Sequence, residues 1–190
     1  MLVRGVILLM KKFLTLFAFS LALIAFSFVG INAQDISPVS LEIAKKVEKS
    51  IKKLPRYEVF DNIDFTVDGT VVTLTGKVRN AINKSDAEGY VKKVPGVTGV
   101  INNIDILPVG GFDERIRRDL YATLSRSGGL SRYLWTVNPD VRLIVERGHI
   151  SLEGSVYNQG DYNQMNIIAR SVPGAFSVTN NLTVGSSDAR

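Results

Sequence analysis

Residues 72–106 read VTLTGKVRNAINKSDAEGYVKKVPGVTGVINNIDI, and residues 150–184 repeat the pattern as ISLEGSVYNQGDYNQMNIIARSVPGAFSVTNNLTV. Ten of the 35 aligned positions are identical, without a gap. The identical pairs are Leu74/Leu152, Gly76/Gly154, Val78/Val156, Asn80/Asn158, Val94/Val172, Pro95/Pro173, Gly96/Gly174, Val100/Val178, Asn102/Asn180 and Asn103/Asn181. These are apolar, turn and amide residues, which indicates one fold used twice. No catalytic group is repeated.

The first residues have the pattern of a secretory signal peptide. Lys11 and Lys12 precede an uncharged apolar run over residues 13–31, which ends close to the small residue Ala33. We expect a signal peptide over residues 1–33, whose true start is Met10 or Met1, and a linker over 34–39. The competing interpretation is an uncleaved anchor, because about 19 apolar residues can span a bilayer.

Composition narrows the class of protein further. The chain has no cysteine, so we expect neither a disulfide framework nor a lipoprotein anchor. After residue 33 it has 20 basic and 18 acidic residues, a net charge of +2. This small excess gives no basis for nucleic-acid binding. We expect a periplasmic protein that is not a lipoprotein.

The periodicity of apolar residues predicts the same order of elements in each half. In the first half we expect a helix over residues 40–54, a hairpin over 63–67 and 72–78, a helix over 84–94 and a strand over 97–106. In the second half the corresponding ranges are a helix from 112, a hairpin over 141–146 and 149–156, a helix over 161–172 and a strand over 176–184. The residues expected to face inward on the helices are Leu41, Ala44, Val47, Ile51 and Leu54, then Ala87, Tyr90, Val91 and Val94, then Phe112, Ile116, Leu120 and Leu124.

The predicted fold class is therefore α+β. Two tandem αββαβ units, over residues 40–108 and 112–185, each form a small three-stranded mixed sheet with two helices packed on one face. Residues 109–111 link them, and 186–190 form a tail. Gly76 lies on the apolar register of its strand, which indicates close approach of another backbone or a bulge. Asn102 and Asn180 are expected to cap or turn the backbone.

The pattern of residues 72–78, with Leu74, Gly76 and Val78, followed by a Gly-Val-x-x-Val-x-Asn strand at residues 96–102, resembles the BON domain of bacterial envelope proteins. Residues 150–156 and 173–182 fit nearly as well, with Ala175 in place of the usual Val. A signal peptide followed by two such units is similar to the osmotically inducible periplasmic proteins of this family. The resemblance implies a compact αββαβ fold that binds phospholipid surfaces or attaches envelope proteins to membranes.

Two features are candidates for membrane contact. The face of the first helix opposite its apolar stripe is basic, which is typical either of a solvated face or of a membrane-surface helix. Its candidate lipid-binding residues are Lys45, Lys46, Lys49, Lys52, Lys53 and Arg56. Tyr133 and Trp135 lie where the second unit departs from the repeat, and amphipathic aromatics favour the bilayer interface. Burial of these aromatics against the core is the competing explanation.

Residues typical of catalysis or metal binding are scarce. His149 is the only histidine and lies beside a predicted turn, and a Cys nucleophile is excluded. Asp61, Asp64 and Asp68 lack the glycine and bidentate glutamate of a calcium loop. We therefore expect no enzyme activity, cofactor, metal or small-molecule substrate.

The sequence thus favours an exported, non-enzymatic envelope protein that binds anionic phospholipid surfaces peripherally and supports envelope integrity or stress tolerance. The alternative is a protein-interaction module that docks on an envelope complex or client protein through an exposed sheet edge.

Overall fold

A computed structural model describes residues 38–134 and 138–185. The predicted signal peptide, most of the 34–39 linker, Trp135 and the 186–190 tail lie outside these residues. The elements are α1 (Pro38–Ile51), β1 (Asn62–Asp68), β2 (Val71–Val78), α2 (Ala81–Lys92), β3 (Gly99–Asn102), β4 (Asp105–Ile106), α3 (Gly111–Arg126), a 3-10 helix (Leu130–Leu134), β5 (Val141–Glu146), β6 (His149–Val156), α4 (Gln159–Ser171) and β7 (Ser177–Val184). Within the described ranges no helix is both long and apolar enough to cross a membrane.

Each repeat has one mixed sheet, which confirms the predicted α+β class with two tandem units. In the first, β2 pairs antiparallel with β1 and parallel with β3 and β4, which lie end to end along the same edge. In the second, β6 pairs antiparallel with β5 and parallel with β7. The two strands of the predicted second hairpin have the bounds that the sequence indicates, and the turn between them is Arg147-Gly148.

The first helix of each repeat departs from the sequence prediction at its N-terminal end. In α1 Val47 and Ile51 are buried as predicted, but the first buried apolar residue is Ile43, whereas Leu41 is 51% exposed. At about 100° per residue, Ile43 lies about 40° from Val47 around the helix axis, whereas Leu41 lies about 120° from Val47 and about 160° from Ile43. The prediction for Leu41 is therefore wrong.

The prediction for α3 is wrong in the same way at the first residue of its apolar stripe, Phe112. Phe112 is 46% exposed, although Ile116, Leu120 and Leu124 are buried as predicted. A strict four-residue spacing advances by about 40° at each step on a helix, so Phe112 and Leu124 differ by about 120°. One end of such a stripe has to leave the buried face.

Gly76 and Gly154 have the conformation that their place in the repeat predicts. Their φ angles are 108° and 111°, which side chains rarely allow. A Cβ atom on Gly76 would lie 2.3 Å from the carbonyl oxygen of Asn62, and one on Gly154 would lie 2.0 Å from that of Asp140. The close approach of another backbone predicted for Gly76 is confirmed.

The repeated asparagines make side-chain hydrogen bonds to the backbone along the outer strand of each sheet. Asn102 Oδ1 accepts a hydrogen bond from Ile104 N at 3.2 Å, and Asn180 Oδ1 accepts one from Leu182 N at 3.2 Å. The amide of Asn102 also donates to Lys84 O on α2 at 2.9 Å. These side chains satisfy backbone groups and tie the strand to the helix, as expected for Asn102 and Asn180.

The segment between α1 and β1 belongs partly to the second repeat. Val59 is buried in the core cluster of that repeat, together with Leu143 and Leu152, while the first repeat has a separate core. Val59 O accepts a hydrogen bond from Leu143 N at 2.7 Å, and Arg142 donates to Glu58 O at 3.0 Å. The outer edge of β5 is thus covered by the first repeat.

Candidate functional site

The six predicted basic residues all lie on the surface of the first repeat. Lys45, Lys46 and Lys49 lie on α1, and the other three follow the end of the helix at Ile51. Those six exposed residues are Lys45, Lys46, Lys49, Lys52, Lys53 and Arg56. They are exposed because Val47 and Ile51 take the opposite side of α1 into the core.

Some of these lysines border a hollow between α1 and the C-terminal end of α2, which we call the basic groove. It has a volume of about 340 Å³ and is lined by Lys46, Lys49, Ser50, Lys53, Tyr90, Lys93, Val94 and Pro95. Ser50 Oγ donates a hydrogen bond to Tyr90 O at 3.2 Å, which fixes one helix against the other. The groove therefore collects cationic side chains from two helices.

Lys93 is not among the basic residues predicted from the sequence, because it follows the second helix instead of lying on the first. It follows the last residue of α2, and its backbone N–H caps that helix by donating to Tyr90 O and Val91 O. Its ammonium lies 5.9 Å from the centroid of the Tyr90 ring. The Lys92-Lys93 pair just before the Pro95-Gly96 break is the sequence signal that could have indicated it.

Apart from Lys45, which does not line the groove, the lysines of this surface fall into two electrostatic groups. Three are neutralised by a carboxylate one helical turn away: Lys46 with Glu42 at 2.7 Å, Lys92 with Glu88 at 2.6 Å, and Lys52 with Glu48. The hydrogen bond from Lys46 lowers the pKa of Glu42, and the one from Lys92 lowers the pKa of Glu88.

The second group faces the groove. Lys49, Lys53 and Lys93 form no ion pair with any residue in the described ranges 38–134 and 138–185. No described carboxylate lines the groove either. The groove is thus a concentrated positive site, where an anion would meet several ammonium donors and no competing acid.

Tyr133 does not form part of this surface. Its ring is fully buried in the second core, which is the competing explanation that the sequence left open. The phenol accepts a hydrogen bond from Tyr157 N at 3.0 Å and donates to Asp161 at 2.5 Å. Burial raises the pKa of Tyr133, and the hydrogen bond to Asp161 adds to this rise. Exposing Tyr133 to lipid would break these contacts, so we correct its assignment. Trp135 lies outside the described residues.

The first repeat has an equivalent hydrogen-bonded arrangement, in which one side chain accepts from the backbone and also bonds to the following helix, but it uses different residues. Arg79 N, equivalent to Tyr157 N, donates to the buried carboxylate of Asp61 at 2.7 Å. Asn83, equivalent to Asp161, donates to the same carboxylate at 2.8 Å. The charged member of the pair therefore differs between the repeats. In the first repeat the acceptor Asp61 is charged and Asn83 on the helix is neutral, whereas in the second repeat Tyr133 is neutral and Asp161 on the helix is charged.

The remaining titratable residues that the sequence singled out have structural surroundings. Asp61 is nearly inaccessible and its oxygens are used by the backbone and by Asn83. The exposed His149 lies 2.6 Å from Ser177, measured from Nδ1 to Oγ. Among the described residues, no group of three or more acidic, histidine or cysteine side chains could hold a metal ion.

One family model, the BON domain, matches the chain twice, at residues 41–108 and 112–186. No curated protein matches the sequence. Two similar solved structures are of CdsD, a structural protein of the Type III secretion system of Chlamydia trachomatis. The first is 14% identical over 78% of this chain and 95% of that chain, with a TM-score of 0.28. The second, the C-terminal domain, is 13% identical over 77% and 98%, with a TM-score of 0.30. Because the family model covers most of the sequence, in two consecutive copies, the chain belongs to the BON-domain family.

Proposed function

We propose that this protein binds anionic phospholipid surfaces peripherally in the bacterial envelope, and that the basic groove makes the contact. BON domains are associated with membrane and phospholipid binding and with envelope roles, and the family is generally non-enzymatic. The observation that carries the proposal is the cluster of Lys49, Lys53 and Lys93 with no acidic neighbour in the described groove.

Contact through this surface leaves the fold intact. The apolar side of α1 is used by the core, so inserting the helix into a bilayer would expose Val47 and Ile51 and open the first repeat. The lysines instead reach headgroups from an exposed position. A lysine near an anionic surface contributes about 1 kcal/mol, and the attraction decays within a Debye length of about 8–10 Å.

The test is to replace Lys49, Lys53 and Lys93 together by glutamine. Because three lysines contribute about 3 kcal/mol, the affinity for vesicles that contain phosphatidylglycerol should fall about 100-fold. Vesicle co-sedimentation at low salt measures this, and added salt should weaken the wild-type binding in the same direction.

A matched control makes the same charge change on the corresponding helix of the second repeat. Arg115, Arg118 and Arg126 are exposed on α3, and their replacement by glutamine should leave most of the binding. Equal losses in both triple variants would show an attraction by overall charge and contradict a role for the groove.

The second candidate function, docking on an envelope protein, is favoured by the outer edge of the second sheet. Among the described strands β7 pairs with β6 alone, and its eight residues carry no charge. The equivalent edge of the first sheet is interrupted between β3 and β4 and carries Asp105. A long uncharged edge is the kind that accepts an additional strand from a partner.

If this candidate is right, the protein should stay bound to the envelope at high salt, and its retention should require a partner protein. A lysine in place of the exposed Thr179 on β7 should release the protein from washed membranes, because charge on an edge opposes strand addition. The control is Thr66→Lys, on the exposed side of β1. Release of the unmodified protein by salt alone would contradict docking through β7 and favour lipid binding.

A further inference from the structure

We infer that the basic groove selects lipids whose headgroup ends in a phosphomonoester, which carries close to two negative charges, over phosphodiester lipids that carry one. This inference rests on the proposed function and names the headgroup that the same site prefers. The preference is expected because several ammonium groups line one small volume.

The groove presents more positive charge than a phosphodiester can neutralise. Lys49, Lys53 and Lys93 line the same volume of about 340 Å³, and within the described chain none of them has a carboxylate partner. Lys46 lines it too, but is already paired with Glu42 at 2.7 Å. Like charges held this close repel one another, so an anion that relieves more of the repulsion gains more on binding.

The chemistry of the phosphate decides which anion this is. A phosphomonoester has a second pKa near 6, a charge of about −1.5 to −2 at neutral pH and three strong acceptor oxygens. A phosphodiester has one charge and two free oxygens. Lysine ammonium groups are compact point charges with three donors each, and three of them can approach three oxygens separately.

The position of the groove also favours a small terminal phosphate. Val94 and Pro95 line it together with Ser50, whose Oγ donates a hydrogen bond to Tyr90 O at 3.2 Å. Lys93 follows the last residue of α2, whereas Lys49 lies on α1 and Lys53 follows the end of α1. A headgroup whose phosphate is its outermost group can enter between the two helices. One that carries glycerol or an amine beyond the phosphate has to place that extra group among the ammonium side chains.

The experiment compares neutral vesicles doped with phosphatidic acid and vesicles doped with phosphatidylglycerol, adjusted to equal surface potential. We expect about fivefold tighter binding to phosphatidic acid at neutral pH, the effect of one additional favourable charge contact of about 1 kcal/mol. Lowering the pH from about 7 to about 5 protonates the phosphomonoester and should remove the preference, while binding to phosphatidylglycerol stays constant.

Single substitutions test whether the preference for the phosphomonoester arises in the groove. Lys93→Gln should bring the ratio of the two affinities close to one. Lys45→Gln removes the same charge from an exposed position of α1 that does not line the groove, and should lower both affinities while keeping their ratio. A ratio that survives Lys93→Gln overturns the placement in the groove.

Each failure has a different meaning. Equal affinity for both vesicles at neutral pH overturns the phosphomonoester inference but leaves phospholipid binding standing. Absence of binding to either vesicle overturns the proposed function itself. Millimolar glycerol 3-phosphate should not displace the protein; displacement would show a site for a soluble phosphate and overturn the assignment to lipid.

Discussion

Replacing Gly154 by alanine is expected to unfold the second repeat, at a cost of about 4 kcal/mol or more. The new methyl group would lie 2.0 Å from the carbonyl oxygen of Asp140. That oxygen is part of the backbone, held by Ser155 N at 3.0 Å, so it cannot move away as a flexible side chain would. The φ angle of 111° adds backbone strain. Denaturation by urea, followed by circular dichroism, measures the loss.

A second glycine gives a control with the opposite sign. Gly89 lies inside α2, and an added Cβ would meet nothing within 4 Å. Gly89→Ala should therefore stabilise the protein by about 0.5–1 kcal/mol through helix propensity. If Gly154→Ala were as well tolerated as Gly89→Ala, the close approach of Gly154 on β6 to the carbonyl oxygen of Asp140 would be wrong.

Replacing Val59 by aspartate is expected to destabilise the second repeat, although the residue belongs to the first. Val59 is 7% exposed and packs in the core cluster of the second repeat. An unpaired carboxylate at that position costs about 3–5 kcal/mol, a large part of the 5–15 kcal/mol typical of a folded domain. Hydrogen exchange measured by mass spectrometry should show faster exchange in β5 and β6.

The control for this prediction is Val109→Asp in the linker. Val109 is 94% exposed, so the same chemical change there should leave stability and exchange unchanged. Faster exchange confined to α1 and β1 in the Val59→Asp protein would show that the residue supports its own repeat, and would contradict its place in the second core.

The fold could be predicted where the signals are local. The strand alternation on either side of Arg147-Gly148 and the Pro-Gly breaks after each second helix depend on neighbouring residues, and these elements are where the sequence indicates. The outward rotation of Leu41 and Phe112 could not be read with the same accuracy, because several apolar residues on one helix allow more than one inward direction.

The candidate site could be predicted only in part for a related reason. The exposure of Lys49 and Lys53 follows from one amphipathic helix, whereas Lys93 joins them through the packing of two helices separated by the whole hairpin. Tyr133 shows the converse problem: its aromatic and polar character suits a membrane interface and a buried hydrogen-bonded position equally, and only its partner Asp161 distinguishes the two. Val59 had no local signal at all, because its contacts lie in the other repeat.

The exchange of acceptors between the repeats bears on how this duplicated sequence can evolve. Asp61 needs an amide donor on the following helix and has Asn83, while Tyr133 needs an acceptor there and has Asp161. Copying Asp161 into position 83 would set two carboxylates against each other, and copying Asn83 into position 161 would remove the charge that also binds Arg132 at 2.5 Å. Gene conversion that carries only the second half of one repeat into the other would therefore yield a mismatched pair. The two halves of this chain descend from one pattern, yet they have become non-exchangeable parts.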